Sequence, residues 1–222
     1  DAMIEMYRDI KLPFWCQTRP ETVMINTNRI RQLQNIGLHR ISFGLEHGNE
    51  KFRKEVVGRD MSNQLLRQAF DVVADAGVPF SVNNIIGFPG ETRDLVFDTI
   101  ELNRHTKAQS MSCSIFMPYQ GTALHRLAVS KGYIADDTIC PSNNDEAIMN
   151  MSSLSKGEIM GLRSTFPLYV RFPKDRWPEI RLAESPTEEG KKRLADLRQE
   201  FQRTYMPGAP ELYQSPGVHA AG

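Results

Sequence analysis

Residues 40–60 read RISFGLEHGNEKFRKEVVGRD, and this stretch decides the fold. Ile41, Phe43 and Leu45 alternate with other residues, which is typical of a strand in a covered sheet. The strand ends at Glu46, which glycines flank, and a short charged helix ending near Gly58 is predicted to follow. Because ligands bind at the carboxyl ends of strands in α/β sheets, Glu46 is a candidate ligand-binding residue. The alternative is that Glu46 only caps the following helix.

Predicted strands and helices alternate on both sides of this stretch. Strands are expected over residues 12–18, 40–45, 78–86 and 110–117, and the main helices over 28–36, 63–76, 91–102 and 123–130. Short connections between them predict an α/β fold with a parallel sheet of about four strands, flanking helices and right-handed crossovers. This is a partial (β/α) barrel of the TIM type. Since it supplies only half of an eight-unit barrel, we expect the missing strands upstream.

Changes in composition along the sequence predict three segments. Residues 1–135 form the partial barrel, and residues 136–205 form a helical C-terminal extension that begins with a polar loop. Residues 206–222 are rich in Pro and Gly and are predicted to be a disordered tail.

Charge and cysteine content exclude several classes of protein. Lys and Arg number 27 against 27 Asp and Glu, so no nucleic acid or anionic membrane is indicated as a partner. No apolar run is long enough to span a bilayer. Cys16, Cys113 and Cys140 are too far apart to indicate a disulfide framework or a metal site, and they favour a reducing, cytoplasmic location.

Three polar loops are expected on one rim, because parallel strands place their carboxyl ends together. The first is GLEHG at residues 44–48, followed by Arg59 thirteen positions after Glu46. The second is NNIIGFPGET at 83–92, and the third is SIFMPYQGT at 114–122.

Together these loops resemble the radical S-adenosylmethionine (radical SAM) superfamily. The similar branch carries GxExG…R, GxPGET and PYxGT motifs, and it includes cobalamin-binding, tRNA-modifying and coproporphyrinogen-type enzymes. The resemblance implies reductive cleavage of S-adenosylmethionine by a [4Fe–4S] cluster to give a 5′-deoxyadenosyl radical. Methyl transfer or rearrangement with cobalamin is a further implied option. The implied partners are a small-molecule substrate and an electron donor such as flavodoxin or ferredoxin.

The resemblance also implies roles for individual residues. Glu46 would accept hydrogen bonds from both ribose hydroxyls, a task that suits a two-oxygen acceptor. Arg59 would pair with the methionyl carboxylate, and Asn83 would face the cofactor. The structural alternatives are a solvated cation for Arg59 and a bond to strand-end backbone for Asn83. Arg19 could face the same cleft.

Apolar residues of the second and third loops are implied to surround the adenine ring. They lie at residues 85–88 and 116–118 and include Ile85, Phe88, Phe116, Met117 and Pro118. Phe116 and Met117 are equally compatible with plain core positions. His47, His105 and His125 are expected at the surface, and no catalytic residue is assigned. Cys16 and Cys113 are expected to be buried, apolar fillers.

The cluster motif of the superfamily, CxxxCxxC, does not occur in this sequence. Three distant cysteines cannot converge on one cluster. We therefore expect the cluster ligands to lie outside this chain, in a missing N-terminal half of the barrel, and the chain alone to be inactive. Two alternatives are a non-radical barrel lyase or isomerase using Glu46 or His47, and a non-catalytic binding module.

Overall fold

The computed structural model describes residues 2–10 and 12–206. Apart from Met206, the predicted disordered tail lies outside the described residues.

Four strands form one parallel sheet in chain order. They are β1 (Phe14–Thr18), β2 (Leu38–Glu46), β3 (Phe80–Ile86) and β4 (Ser110–Ile115). The predicted α/β fold with about four parallel strands is therefore confirmed. The register shifts between Gly44 and Glu46, so β2 is irregular at its carboxyl end.

One helix precedes the sheet, and helices follow each strand. They are α1 (Ala2–Tyr7), α2 (Pro20–Ile25), α3 (Asn28–Gln34), α4 (Glu50–Glu55), α5 (Asn63–Asp75), α6 (Arg93–Arg104) and α7 (Ala123–Ser130). Ser62, Thr92 and Thr122 cap the amino ends of α5, α6 and α7 by accepting a backbone N–H. Helix α2 was not predicted. Its one signal is Pro20 at the first helical position.

One face of the sheet is covered by an apolar core. Phe43 meets the rings of Phe70 and Phe80 edge-on, with centroids 5.6 and 5.8 Å away. Asn84 also lies on this face and exchanges hydrogen bonds with Asn103 of α6, 2.8 and 3.2 Å long. The pair satisfies two buried amides and fixes α6 against the sheet.

The opposite face of the sheet is polar. Asn83 donates to Ser42 Oγ over 3.0 Å and accepts from Ser112 Oγ over 2.9 Å. Arg40 donates to Ser110 Oγ over 2.5 Å. Asn83 and Asn84 therefore lie on opposite faces, as the two-residue period of a strand predicts.

The C-terminal extension contains α8 (Lys156–Arg171), a 3₁₀ turn (Lys174–Arg176), α9 (Trp177–Ala183) and α10 (Glu188–Tyr205). Ile159 and Phe166 of α8 share one buried cluster with Ile86 of β3 and Ile115 of β4. Arg104 of α6 donates to three main-chain carbonyls near the carboxyl end of α8. The extension thus packs directly on the sheet and on α6.

Among residues 2–10 and 12–206, every helix is too short or too polar to cross a membrane.

Candidate functional site

A strained turn ends strand β2. Glu46 has a φ of 67°, and it is the one non-glycine residue with positive φ in the described part of the chain. The N–H of His47 donates to the carbonyl of Leu45 over 2.9 Å and closes a tight turn around Glu46. Such a backbone conformation costs about 1–3 kcal/mol for a residue with a side chain. This strain persists because the surrounding contacts fix the turn.

The carboxylate of Glu46 pairs with Arg59. Oε1 lies 3.0 Å from Arg59 Nη2, and the two side chains are 14% and 27% exposed. Burial raises the pKa of Glu46, although the guanidinium groups of Arg59 and Arg19 act in the opposite direction. The carboxylate lies over Gly44, where a Cβ atom would overlap Oε1. Gly44 therefore makes room for the carboxylate.

A cleft of about 290 Å³ opens beside this ion pair. Its lining residues come from the ends of β1 and β2, from the start of α2 and from the loop after α4, and they are Gln17, Thr18, Arg19, Thr22, Gly44, Glu46 and Arg59. Two guanidinium groups, one carboxylate and two threonine hydroxyls thus share a small space. This donor and acceptor set suits a ligand that carries both hydroxyl groups and an anionic group.

Asn83 lies one strand away from this cleft. It pairs in register with Gly44, and its amide bonds to the side chains of Ser42 and Ser112. The suggested bond to strand-end backbone is therefore wrong, because neighbouring hydroxyls occupy both ends of the amide. That Asn83 faces the cofactor stays a prediction.

The apolar wall around adenine stays a prediction, but two of its rings, Phe88 and Phe116, pack against each other. These rings lie 4.8 Å apart, and the N–H of Phe116 donates to the carbonyl of Ile86 over 2.8 Å. Ile85 and Phe116 are half-buried, while Met117 and Pro118 are buried. Met117 belongs to the apolar core, so the structure supports its plain core alternative.

The prediction that His47 is exposed is wrong. Its side chain is fully buried, and Nε2 lies 2.9 Å from Oε1 of Glu91, which is also fully buried. The burial arises because Gly48 packs against the backbone of Asp98 and Thr99 in α6, where no Cβ would fit. Gly48, directly after His47, was the available signal.

The prediction for His125 is also wrong. It lies on the inner face of α7, where it is buried together with Ala128 one turn later. His105, in contrast, is exposed as predicted.

The described cysteines do not fit an iron–sulfur cluster. Cys16 and Cys113 lie on the two outer strands of the four-stranded sheet, and these strands are roughly 14 Å apart at the usual strand spacing. Burial raises the pKa of both thiols, which disfavours the thiolate form that ligates iron. No group of three or more His, Cys, Asp or Glu residues in residues 2–10 and 12–206 could hold a metal ion.

Comparison with known proteins finds a family match over the N-terminal part of this chain. The model of the Radical SAM superfamily matches residues 2–102, which include the cleft, His47 and Glu91. Residues 2–102 thus match the radical SAM superfamily, and the resemblance inferred from the loops is confirmed over these residues. The PYQGT loop lies beyond the matched residues.

Individual relatives have low sequence identity to this chain. An uncharacterized methyltransferase of Pyrococcus horikoshii is 27% identical over 109 residues, which are 49% of this chain and 24% of the relative. Coproporphyrinogen III oxidase from Escherichia coli has a TM-score of 0.51 at 15% identity, over 72% of this chain and 33% of the oxidase. The cobalamin-dependent radical enzyme OxsB, solved with aqua-cobalamin and S-adenosylmethionine bound, has a TM-score of 0.53 at 13% identity.

The OxsB likeness covers 92% of this chain and 36% of OxsB. At these identities the two structural likenesses show a shared fold. The chain spans between about a quarter and a third of the length of these relatives.

Proposed function

We propose that this chain forms the ribose and methionyl-carboxylate side of an S-adenosylmethionine site in a radical enzyme. The observation that carries the proposal is the strained Glu46 turn, whose carboxylate lies beside Arg59 and Arg19 in a small cleft. This cleft lies within the residues that match the superfamily.

The residues of the cleft have complementary tasks. The Glu46 carboxylate accepts hydrogen bonds from the two ribose hydroxyls, for which it must be ionised. Arg59 has five N–H donors, so it can keep its contact with Glu46 and also bind a ligand carboxylate. On this proposal the half-buried ring of Phe116 stacks with adenine, and the buried ring of Phe88 packs behind it.

The cluster, the electron donor and the substrate are proposed to lie outside the described residues. The misfit between the cysteine positions and any metal site supports this. We propose that other residues of the barrel hold the [4Fe–4S] cluster and that flavodoxin or ferredoxin supplies the electron. On this proposal, the chain alone is inactive.

Methyl transfer with cobalamin is the reaction class that we propose for the whole protein. The methyltransferase relative and the fold shared with cobalamin-dependent OxsB support it. The substrate is proposed to be a small molecule. A cytoplasmic location remains a prediction from the sequence.

The non-radical lyase alternative loses one of its two candidates. A proton-transfer residue must reach the substrate, and His47 is fully buried with Nε2 directed at Glu91. Glu46 alone would have to carry the acid–base chemistry.

Calorimetry of S-adenosylmethionine binding tests the proposal. The protein as the cell makes it is purified without oxygen, and the wild type is compared with Glu46→Gln. We expect the variant to bind roughly tenfold or more weakly, because bonds to a charged acceptor are replaced by neutral ones. Glu55→Gln, which alters an exposed carboxylate of α4, is the matched control and should bind normally. Unchanged affinity of Glu46→Gln would overturn the proposal.

A further inference from the structure

One buried pair joins the loop after β2 to the loop after β3. The imidazole of His47 and the carboxylate of Glu91 are each fully buried and lie 2.9 Å apart, although 44 positions separate them in the sequence. Glu91 also accepts the backbone N–H groups of Gly87 and Phe88. The carboxylate therefore holds its own loop and the neighbouring loop together.

The hydrogen bonds define how the imidazole is protonated. Nδ1 of His47 accepts the N–H of Asn49 over 3.1 Å, so the proton of the neutral ring is on Nε2. That N–H points at Oε1 of Glu91. Since Glu91 receives three N–H donors, an ionised carboxylate is the acceptor that satisfies them all.

Aromatic rings and an arginine fix His47 in this position. The ring of Phe52 lies 4.5 Å and the ring of Phe88 lies 6.1 Å from the imidazole centroid. The buried guanidinium of Arg53 donates to the carbonyl of His47 over 2.6 Å. Both the side chain and the backbone of the residue that follows Glu46 are therefore held.

We propose that His47 is a positioning residue for ribose recognition. Its pairing with Glu91 fixes the backbone of His47, whose N–H closes the strained turn. Glu46 therefore keeps its positive φ, with its carboxylate over Gly44. His47 touches no ligand and acts through Glu46. This inference rests on the proposed function, because it assigns the Glu46 carboxylate to a ribose.

Two nucleosides that differ by one hydroxyl test the positioning role. The probes are 5′-methylthioadenosine and its 2′-deoxy counterpart, which are titrated by calorimetry into the protein as the cell makes it. We expect the wild type to prefer the ribose form by about tenfold, the value of one hydrogen bond to a charged group. His47→Leu should lose this preference, whereas His47→Gln, which can offer an amide N–H to Glu91, should retain most of it.

A matched variant separates positioning from general loss of stability. Tyr169→Phe removes a hydroxyl that bonds to Glu184 of the C-terminal extension and makes no hydrogen bond to His47 or Glu91, so it should keep the ribose preference. If His47→Leu does not fold, Glu91→Gln gives the same test. The amide N–H₂ of the new side chain would face N–H donors of His47, Gly87 or Phe88 and could not accept from them. Retention of the ribose preference in the folded His47→Leu or Glu91→Gln variant would overturn the inference. A wild type without any preference would instead contradict the proposed function itself.

Discussion

Glu46 and Arg59 form an ion pair, with 3.0 Å between Oε1 and Nη2, and both residues line a cleft of about 290 Å³. The family resemblance assigns these residues to the two polar ends of one cofactor. Their direct contact means that a ligand binds to a pair already in place. The pair is thus organised before binding, and the protein's own contacts bear the cost of the strained turn.

Two glycines four positions apart should respond differently to the same substitution. At Gly48 an added Cβ overlaps backbone atoms of Asp98 and Thr99, which cannot move aside. At Gly44 it overlaps the end of the Glu46 side chain, which can rotate away. We expect Gly48→Ala to lose about 2–3 kcal/mol of unfolding free energy through overpacking. Gly44→Ala should lose far less.

Urea denaturation measures both losses of stability, and calorimetry measures how each variant binds a nucleoside. Gly44→Ala should still fold and yet bind 5′-methylthioadenosine weakly, because its Cβ displaces the carboxylate. Equal stability of the two variants would show that Gly48 does not pack on α6 as described.

Glu46 should make the stability of the protein depend on pH. Burial raises its folded-state pKa above the ordinary value of 4.5, so the folded state binds this proton more tightly than the unfolded state. The contribution of Glu46 to stability is therefore most favourable below pH 4.5, and it decreases as the pH rises through the folded-state pKa. Denaturation over a pH series, with Glu46→Gln as reference, measures this contribution.

The wild type should lose stability relative to Glu46→Gln as the pH rises above 4.5. Glu55→Gln should follow the wild type at every pH. A wild type that gains stability relative to Glu46→Gln over this range would mean that the guanidinium groups outweigh burial.

A third prediction concerns the contact between the sheet and the C-terminal extension. Arg93 of α6 donates two hydrogen bonds to Glu184, 2.6 and 2.9 Å long, and the Glu184 side chain is 7% exposed. Arg93→Ala leaves this carboxylate without its main partner and should cost on the order of 3 kcal/mol. Arg181 also pairs with Glu184, but it is half-exposed, so Arg181→Ala should cost less than about 1 kcal/mol.

Denaturation with urea compares these two arginine variants. Similar losses for both would show that Glu184 does not depend on its buried partner.

The sequence patterns predicted the sheet well, because each strand and helix carries a local signal. Ser62 caps α5, as its position before a periodic apolar segment indicates. Gly77, which has a positive φ, marks the end of the same helix. Helix α2 has six residues, too few for a periodic apolar face to be recognised. Its proline was the one local sign.

The candidate site was only partly predictable, because long-range contacts decide its geometry. The motif resemblance indicated Glu46 and Arg59, and the structure brings them together. The burial of His47 depends on Glu91, Phe88 and α6, which lie at least 40 positions away in the sequence. No pattern within the GLEHG loop indicates which groups cover it.

The most direct measurement is a structure of the protein as the cell makes it, with S-adenosylmethionine bound. We expect both ribose hydroxyl oxygens to lie within about 3.2 Å of the Glu46 carboxylate, the usual limit of a hydrogen bond. Arg59 should contact the methionyl carboxylate in the same complex. A ribose bound elsewhere, with Glu46 still paired to Arg59 alone, would contradict the proposed function.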